Sequence, residues 1–129
     1  YVIFDGKSKK LLFSNGGHLP MVLVKPGGNG RTLSAEEGMP IGVMSGMDFS
    51  YSEILLEEGD CLALYSDGIS EAENLRGEDF TREGLAQLIA AHDTLSADEL
   101  LETVFAAVAD FTAHQAPADD QTLLILKVS

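Results

Sequence analysis

Residues 60–71 read Asp60-Cys61-Leu62-Ala63-Leu64-Tyr65-Ser66-Asp67-Gly68-Ile69-Ser70-Glu71, an apolar run that stops abruptly at an Asp-Gly pair, with a second carboxylate shortly after. The five residues from Cys61 to Tyr65 are too few for a long helix and are bounded by Gly59-Asp60 and Gly68, so they read as a strand buried on both faces. Asp67 sits where the chain leaves that strand. A carboxylate at the end of a rigid core strand, followed by a glycine that permits close approach, is well placed to hold a hard cation. Asp-Gly after a strand is also ordinary turn chemistry.

A second acidic loop leads into a second apolar strand near the C-terminus: Pro117-Ala118-Asp119-Asp120-Gln121-Thr122, followed by Leu123, Leu124, Ile125 and Leu126. If the two strands are neighbours, Asp67 and Asp119 or Asp120 converge at one edge. Uncompensated carboxylates brought together repel, and a divalent metal bound through oxygen relieves the repulsion.

Working outward, residues 1–4 and 11–14 are apolar runs separated by Asp5-Gly6-Lys7-Ser8-Lys9-Lys10, a hairpin by turn composition. Asn15-Gly16-Gly17-His18-Leu19-Pro20 is a loop whose paired glycines let the backbone pass close to something, and a strand resumes over residues 21–25. His18 is a candidate contact to phosphate or metal, and a loop histidine also commonly bonds to nearby backbone. Pro26-Gly27-Gly28-Asn29-Gly30 is a turn before a strand at Arg31-Thr32-Leu33. It lacks the Lys-Ser/Thr and following helix of a phosphate loop. Gly38-Met39-Pro40-Ile41-Gly42-Val43 is a short apolar crossing, and residues 49–56 form a strand leading into the central one.

After Asp67, Glu71-Ala72-Glu73-Asn74 reads as a helical turn and Gly77-Glu78-Asp79-Phe80 as a loop. Thr81-Arg82-Glu83-Gly84 opens a helix with Leu85, Leu88 and Ile89 on one face. Ser96-Ala97-Asp98-Glu99 is a capping box, so Ser96 is the N-cap of a helix expected to run to about His114, ended by Pro117. Leu100, Leu101, Val104, Phe105, Val108 and Phe111 are its apolar stripe. Strands, then helices, then one strand predict an α+β layered domain with helices on a sheet.

The 129 residues make one domain at most, and 45% hydrophobic content excludes a disordered tail. Eight Lys and Arg against 21 Asp and Glu give a net charge of −13, which argues against nucleic acid or an anionic membrane surface as the main partner. The single cysteine, Cys61, lies in an apolar run and reads as a buried structural thiol. No apolar stretch is long enough to span a bilayer, and a cytoplasmic location is expected. The chain begins with Tyr1 at what reads as the middle of a strand, as expected of a fragment, a processed chain or an excised domain.

Taken in order, Asn15-Gly16-Gly17-His18, Gly59-Asp60 with residues 64–72, Asn74 with Gly77-Glu78, and Asp119-Asp120-Gln121-Thr122-Leu123 resemble the PPM-type, or protein phosphatase 2C-like, serine/threonine phosphatases. The branch is the bacterial one of the stage II sporulation protein E and sigma-factor-regulator type. The resemblance covers nearly the whole chain. It implies an α-β-β-α sandwich of antiparallel sheets with helices on the outer face and a pair of Mn²⁺ or Mg²⁺ ions at one end. It further implies Asp67 and Asp119 as metal ligands, with Gly68 and Asp120 as loop neighbours; His18 and Asn15 are candidate contacts to phosphate or to the rim of the site. The reaction implied is hydrolysis of phosphoserine or phosphothreonine by metal-activated water, with a phosphorylated protein such as an anti-sigma-factor antagonist as substrate.

One departure bears on this. The family's first metal motif, of the type Gly-Asp-x-x-Gly-His-Gly, has no counterpart in these residues, and Asp5-Gly6 is in the wrong place for it. Residues 1–129 are therefore expected to be the C-terminal part of the domain, with an incomplete metal cluster and one layer of the sandwich thinned. Exposed apolar surface would be met by homodimerisation or strand exchange. Three readings follow: an active phosphatase in the parent protein, a catalytically incomplete module that binds a protein partner, or an acidic α+β domain whose Asp-Gly turns are only turns.

Overall fold

A computed structural model describes residues 1–28, 30–33, 40–46 and 48–129. Strands β1 (Val2–Asp5) and β2 (Lys10–Phe13) form the expected hairpin, followed by β3 (Met21–Val24), β4 (Arg31–Leu33), β5 (Ser52–Leu55) and β6 (Cys61–Tyr65). Helices α1 (Asp67–Ser70), α2 (Arg82–Ala91) and α3 (Ala97–Phe111) precede the closing strand β7 (Leu123–Lys127). All pairings are antiparallel, in a three-stranded sheet of order β1-β2-β5 and a four-stranded sheet of order β4-β3-β6-β7.

The two-residue period of the strands divides their side chains between two cores. From β3 and β6, Val22, Val24, Cys61, Ala63 and Tyr65 face the helices and meet Leu85, Ile89, Leu100, Val104 and Val108. The alternating Met21, Leu23 and Leu62 face the other way and join Leu11, Phe13 and Leu56 between the two sheets. Strand β6 is thus buried on both sides, as its unbroken apolar run requires. The layers are sheet, sheet, helices: a partial α-β-β-α sandwich. No described helix covers the outer face of the three-stranded sheet, where Ile3 and Leu55 are 47% and 68% exposed beside the Lys10–Glu53 ion pair.

Cys61 is buried, and that burial pushes its thiol pKa up against a smaller opposing pull from Lys127, so it is a packed, protonated side chain. The Lys127 ammonium donates to the carbonyls of Asp93 and Leu95, tying β7 to the α2–α3 connection. Asp60 is the one buried charged residue in the described core. Its Oδ2 accepts from Glu57 N (2.9 Å) and lies 3.4 Å from Lys25 Nζ.

Two helix boundaries and one buried position differ from the sequence reading, and the strand expected over residues 49–56 is confined to Ser52–Leu55. The helical turn placed at residues 71–74 lies earlier, at Asp67–Ser70, because Ile69 is drawn fully into the core and the chain coils directly off β6. Helix α3 ends at Phe111 rather than near His114, and Pro117 is not its terminator. Ala113 and His114 both adopt left-handed conformations (φ 53° and 57°) and turn the chain before the proline is reached. Phe105, assigned to the apolar stripe, is 37% exposed, while Phe111 turns inward to an edge-to-face contact with Phe80 at 5.4 Å. Gly38 and Met39 of the predicted crossing lie outside the described residues, and Ile41 and Val43 are exposed.

The capping box at α3 is complete: Glu99 N donates to Ser96 Oγ at 3.3 Å, and Glu99 Oε2 accepts from Ser96 N at 2.8 Å. Replacing Ser96 with Ala is expected to cost about 1 kcal/mol. Urea unfolding should report this as a lower midpoint with an unchanged slope.

Candidate metal centre

The site grows from the pairing of β6 with β7. The register sets Tyr65 opposite Leu123 and Leu62 opposite Leu126. The residue leaving β6, Asp67, and the loop entering β7, which carries Asp119, therefore lie at the same end of the sheet.

Ser66 is extended (φ −88°, ψ 163°) and Asp67 is the first residue of α1. Asp67 Oδ1 accepts from Gly68 N at 3.0 Å, which sets one carboxylate oxygen against the helix start. Across from it, Asp119 Oδ1 accepts from Asp120 N at 2.7 Å. Gly68 is required by close approach: a Cβ there would lie 2.5 Å from the Asp120 carbonyl oxygen and 3.1 Å from that of Asp119.

Asp67 and Asp119 open onto a cleft of about 600 Å³ that is also lined by Glu71, Glu73 and Asp79. No basic side chain lines it, and none of these five carboxylates has an ion-pair partner among the described residues. Glu73 and Asp79 face each other across an isolated antiparallel bridge. That bridge closes a turn organised by Asn74, whose Oδ1 accepts from Arg76 N (2.8 Å) and Glu78 N (3.1 Å). Hydrogen bonds from Asn74 and Arg76 hold the Glu78 carboxyl below the usual range; Asn74 and Glu78 shape this turn, while Glu71, Glu73 and Asp79 line the cleft. Asp120 does not line it; its carbonyl is what meets the β6 end.

His18 and Asn15 lie elsewhere. Because Val22 pairs with Ala63, their loop reaches the same end of the sheet as Asp67, but on the β3 side of β6. Both line a separate cavity of about 90 Å³ with Phe13, Met21 and Leu64. Asn15 shapes the loop, accepting from Gly17 N and His18 N and donating to His18 O. A Cβ at Gly16 would lie 2.6 Å from Ile41 Cγ1, and Gly17 adopts φ 97° with its Cβ position 2.9 Å from Pro40 Cα. His18 Nδ1 is 2.8 Å from Leu19 O, which fixes that nitrogen as the donor in the neutral ring.

As a donor set for a hard divalent cation, Asp67 and Asp119 fit: both are oxygen ligands, they share one cleft, and their charge there is uncompensated. Among the described residues no group of three or more His, Cys, Asp or Glu side chains is arranged to hold an ion. Glu73 and Asp79 were not legible from sequence, because their bridge depends on how residues 73–79 fold back.

The fold is that of the PP2C-like phosphatase domains. The sequence profile of the family described as Stage II sporulation protein E (SpoIIE) matches residues 1–129, and the chain belongs to that family. Phosphoserine phosphatase RsbU of Bacillus subtilis (strain 168) is 26% identical over 130 residues, which are 98% of this chain and 37% of that protein. The solved RsbU and RsbW domains of Rv1364c from Mycobacterium tuberculosis superpose with a TM-score of 0.76 at 26% identity, over 95% of this chain and 33% of that one. The SiaA-PP2C domain of Pseudomonas aeruginosa gives a TM-score of 0.78 at 21% identity, over 99% of this chain and 50% of that one. The chain spans about a third to a half of the length of these relatives.

Gly68→Ala must push the Asp119–Asp120 backbone away from α1. The expected cost is about 1–3 kcal/mol, as for other overpacked positions, read as a lowered unfolding midpoint.

Proposed function

We propose that residues 1–129 are the C-terminal part of a metal-dependent phosphoprotein phosphatase domain, with Asp67 and Asp119 as metal ligands. The observation that carries this reading is that these two carboxylates, from the ends of adjacent core strands, open onto one acidic cleft with no cation to balance them. Gly68 and Asp120 are their loop neighbours, and His18 and Asn15, which line a separate cavity on the β3 side of β6, are assigned to phosphate contact from that side rather than to the cleft itself. Family membership and the name of the relative phosphoserine phosphatase RsbU support phosphoserine or phosphothreonine on a protein as the substrate. An anti-sigma-factor antagonist in a sigma-factor pathway is the proposed partner.

The proposed ion is Mn²⁺ or Mg²⁺; a structure of the SpoIIE phosphatase domain from Bacillus subtilis, presoaked with Mn, has a TM-score of 0.69 to this chain. A divalent ion, when bound, supplies charge neutralisation at phosphate and a water nucleophile at neutral pH. This chain's own residues orient the carboxylates and exclude cationic side chains from the cleft. The remaining ligands and a second helix layer are assigned to other parts of the parent protein. That layer, or a second copy in a homodimer, would cover Ile3 and Leu55. No described helix is long and apolar enough to cross a membrane, and the proposed location is the cytoplasm.

A second reading, a phosphatase-like module that binds a protein partner without chemistry, is favoured by one observation: the described residues hold no set of three ligands.

Mn²⁺-dependent release of phosphate from a phosphoserine protein by the full-length protein separates the two. Asp67→Asn and Asp119→Asn should each lower turnover by roughly 100-fold or more, since several kcal/mol of charge stabilisation go with the metal. Asp120→Asn should be milder, and a more severe effect there would exchange the roles assigned to Asp119 and Asp120. Turnover unaffected by Asp67→Asn would favour the binding module.

A further inference from the structure

We propose that Ser66 is a positioning residue for the metal site: its hydroxyl, rather than any contact between the carboxylates, sets Asp119 relative to Asp67. The inference rests on the metal-ligand reading of those two aspartates. Ser66 Oγ donates to Asp120 O at 2.7 Å and accepts from Thr122 N at 2.9 Å, and Ser66 N donates to Thr122 O at 3.0 Å. All three bonds go to the loop that carries Asp119. The hydroxyl is thereby diverted from the role usual for a serine before a helix; it makes no capping bond to α1.

On the other side of Asp67, Gly68 packs against the Asp120 carbonyl with no room for a Cβ. The residues immediately before and after Asp67 therefore both grip the backbone of Asp120, one residue from Asp119. Each aspartate has an oxygen tied to its own following amide, and neither has a bond to the other loop. Separation of the two carboxylates is consequently controlled by the Ser66 staple and the Gly68 contact. Like charges held together without their own attraction need such an external constraint, because repulsion drives them apart.

Loss of a group that orients a metal ligand typically costs ten- to a hundredfold in metal affinity. In the full-length protein, Ser66→Ala is expected to weaken Mn²⁺ binding, measured by calorimetry, by about tenfold. Amide hydrogen exchange at Thr122 should accelerate without a change in α3. Ser66→Thr keeps the hydroxyl and should restore both. The control is Ser96→Ala, which loses a comparable hydrogen bond at the far end of α3, about 20 Å along the helix from the cleft, and should leave Mn²⁺ affinity unchanged. Wild-type Mn²⁺ affinity in Ser66→Ala, or an equal loss in Ser66→Ala and Ser96→Ala, would overturn the positioning role. If instead Asp67→Asn binds Mn²⁺ as well as the wild type, the metal-ligand reading itself falls, and the Ser66 proposal with it.

Discussion

Strand β6 is covered by helices on one face and by a second sheet on the other, and it is flanked by β3 and β7 within its own sheet. Such a strand has almost no freedom to slip, because a shift of one residue would exchange Cys61, Ala63 and Tyr65 with Leu62 and Leu64 between two differently shaped cores. The register with β7 is therefore strongly specified, and the positions of both loops at the end of the pair follow from it. The chemistry proposed for the cleft depends on this apolar constraint before it depends on any polar group.

The polar end of the sheet is assembled under electrostatic stress. Five carboxylates face one cleft in a chain that already carries a net charge of −13. Folding holds them together through backbone geometry: a four-residue helix, an isolated bridge, a turn shaped by Asn74, and left-handed residues at Ala113 and His114 that steer the chain off α3 toward Asp119. Two successive non-glycine residues in that conformation cost roughly 1–2 kcal/mol each, a strain compensated by the packing of α3 and β7.

What could be read from sequence was the local and the repetitive. The apolar runs of β6 and β7 and the capping box at Ser96 carry their signal within a few residues, and each predicts an element at its observed place. The α1 turn was displaced because Asp67-Gly68 carries a turn signature, while Ile69, three residues into an otherwise polar stretch, is what the core pulls inward. Pro117 is an obvious stop and predicts too late an end for α3, whereas a left-handed alanine leaves no compositional mark. The Glu73–Asp79 bridge and the bonding of Ser66 were invisible for a different reason: both join residues whose proximity is decided by nonlocal packing, and a serine beside an aspartate reads equally as a cap, a turn or a staple.

The single cysteine gives this architecture a built-in reporter. Cys61 lies at the start of β6, on the helix-facing side, with its thiol sealed by packing and kept protonated by burial. A thiol reagent can reach it only when α2 and α3 lift from the sheet or the strand itself opens. The rate of its alkylation in the native protein therefore measures the free energy of exposing the strand from which Asp67 departs. Where the strand itself opens from β7, the two carboxylates also separate, so a ligand that bridges them would slow that route and be read out at a sulfur atom on the opposite end of the strand.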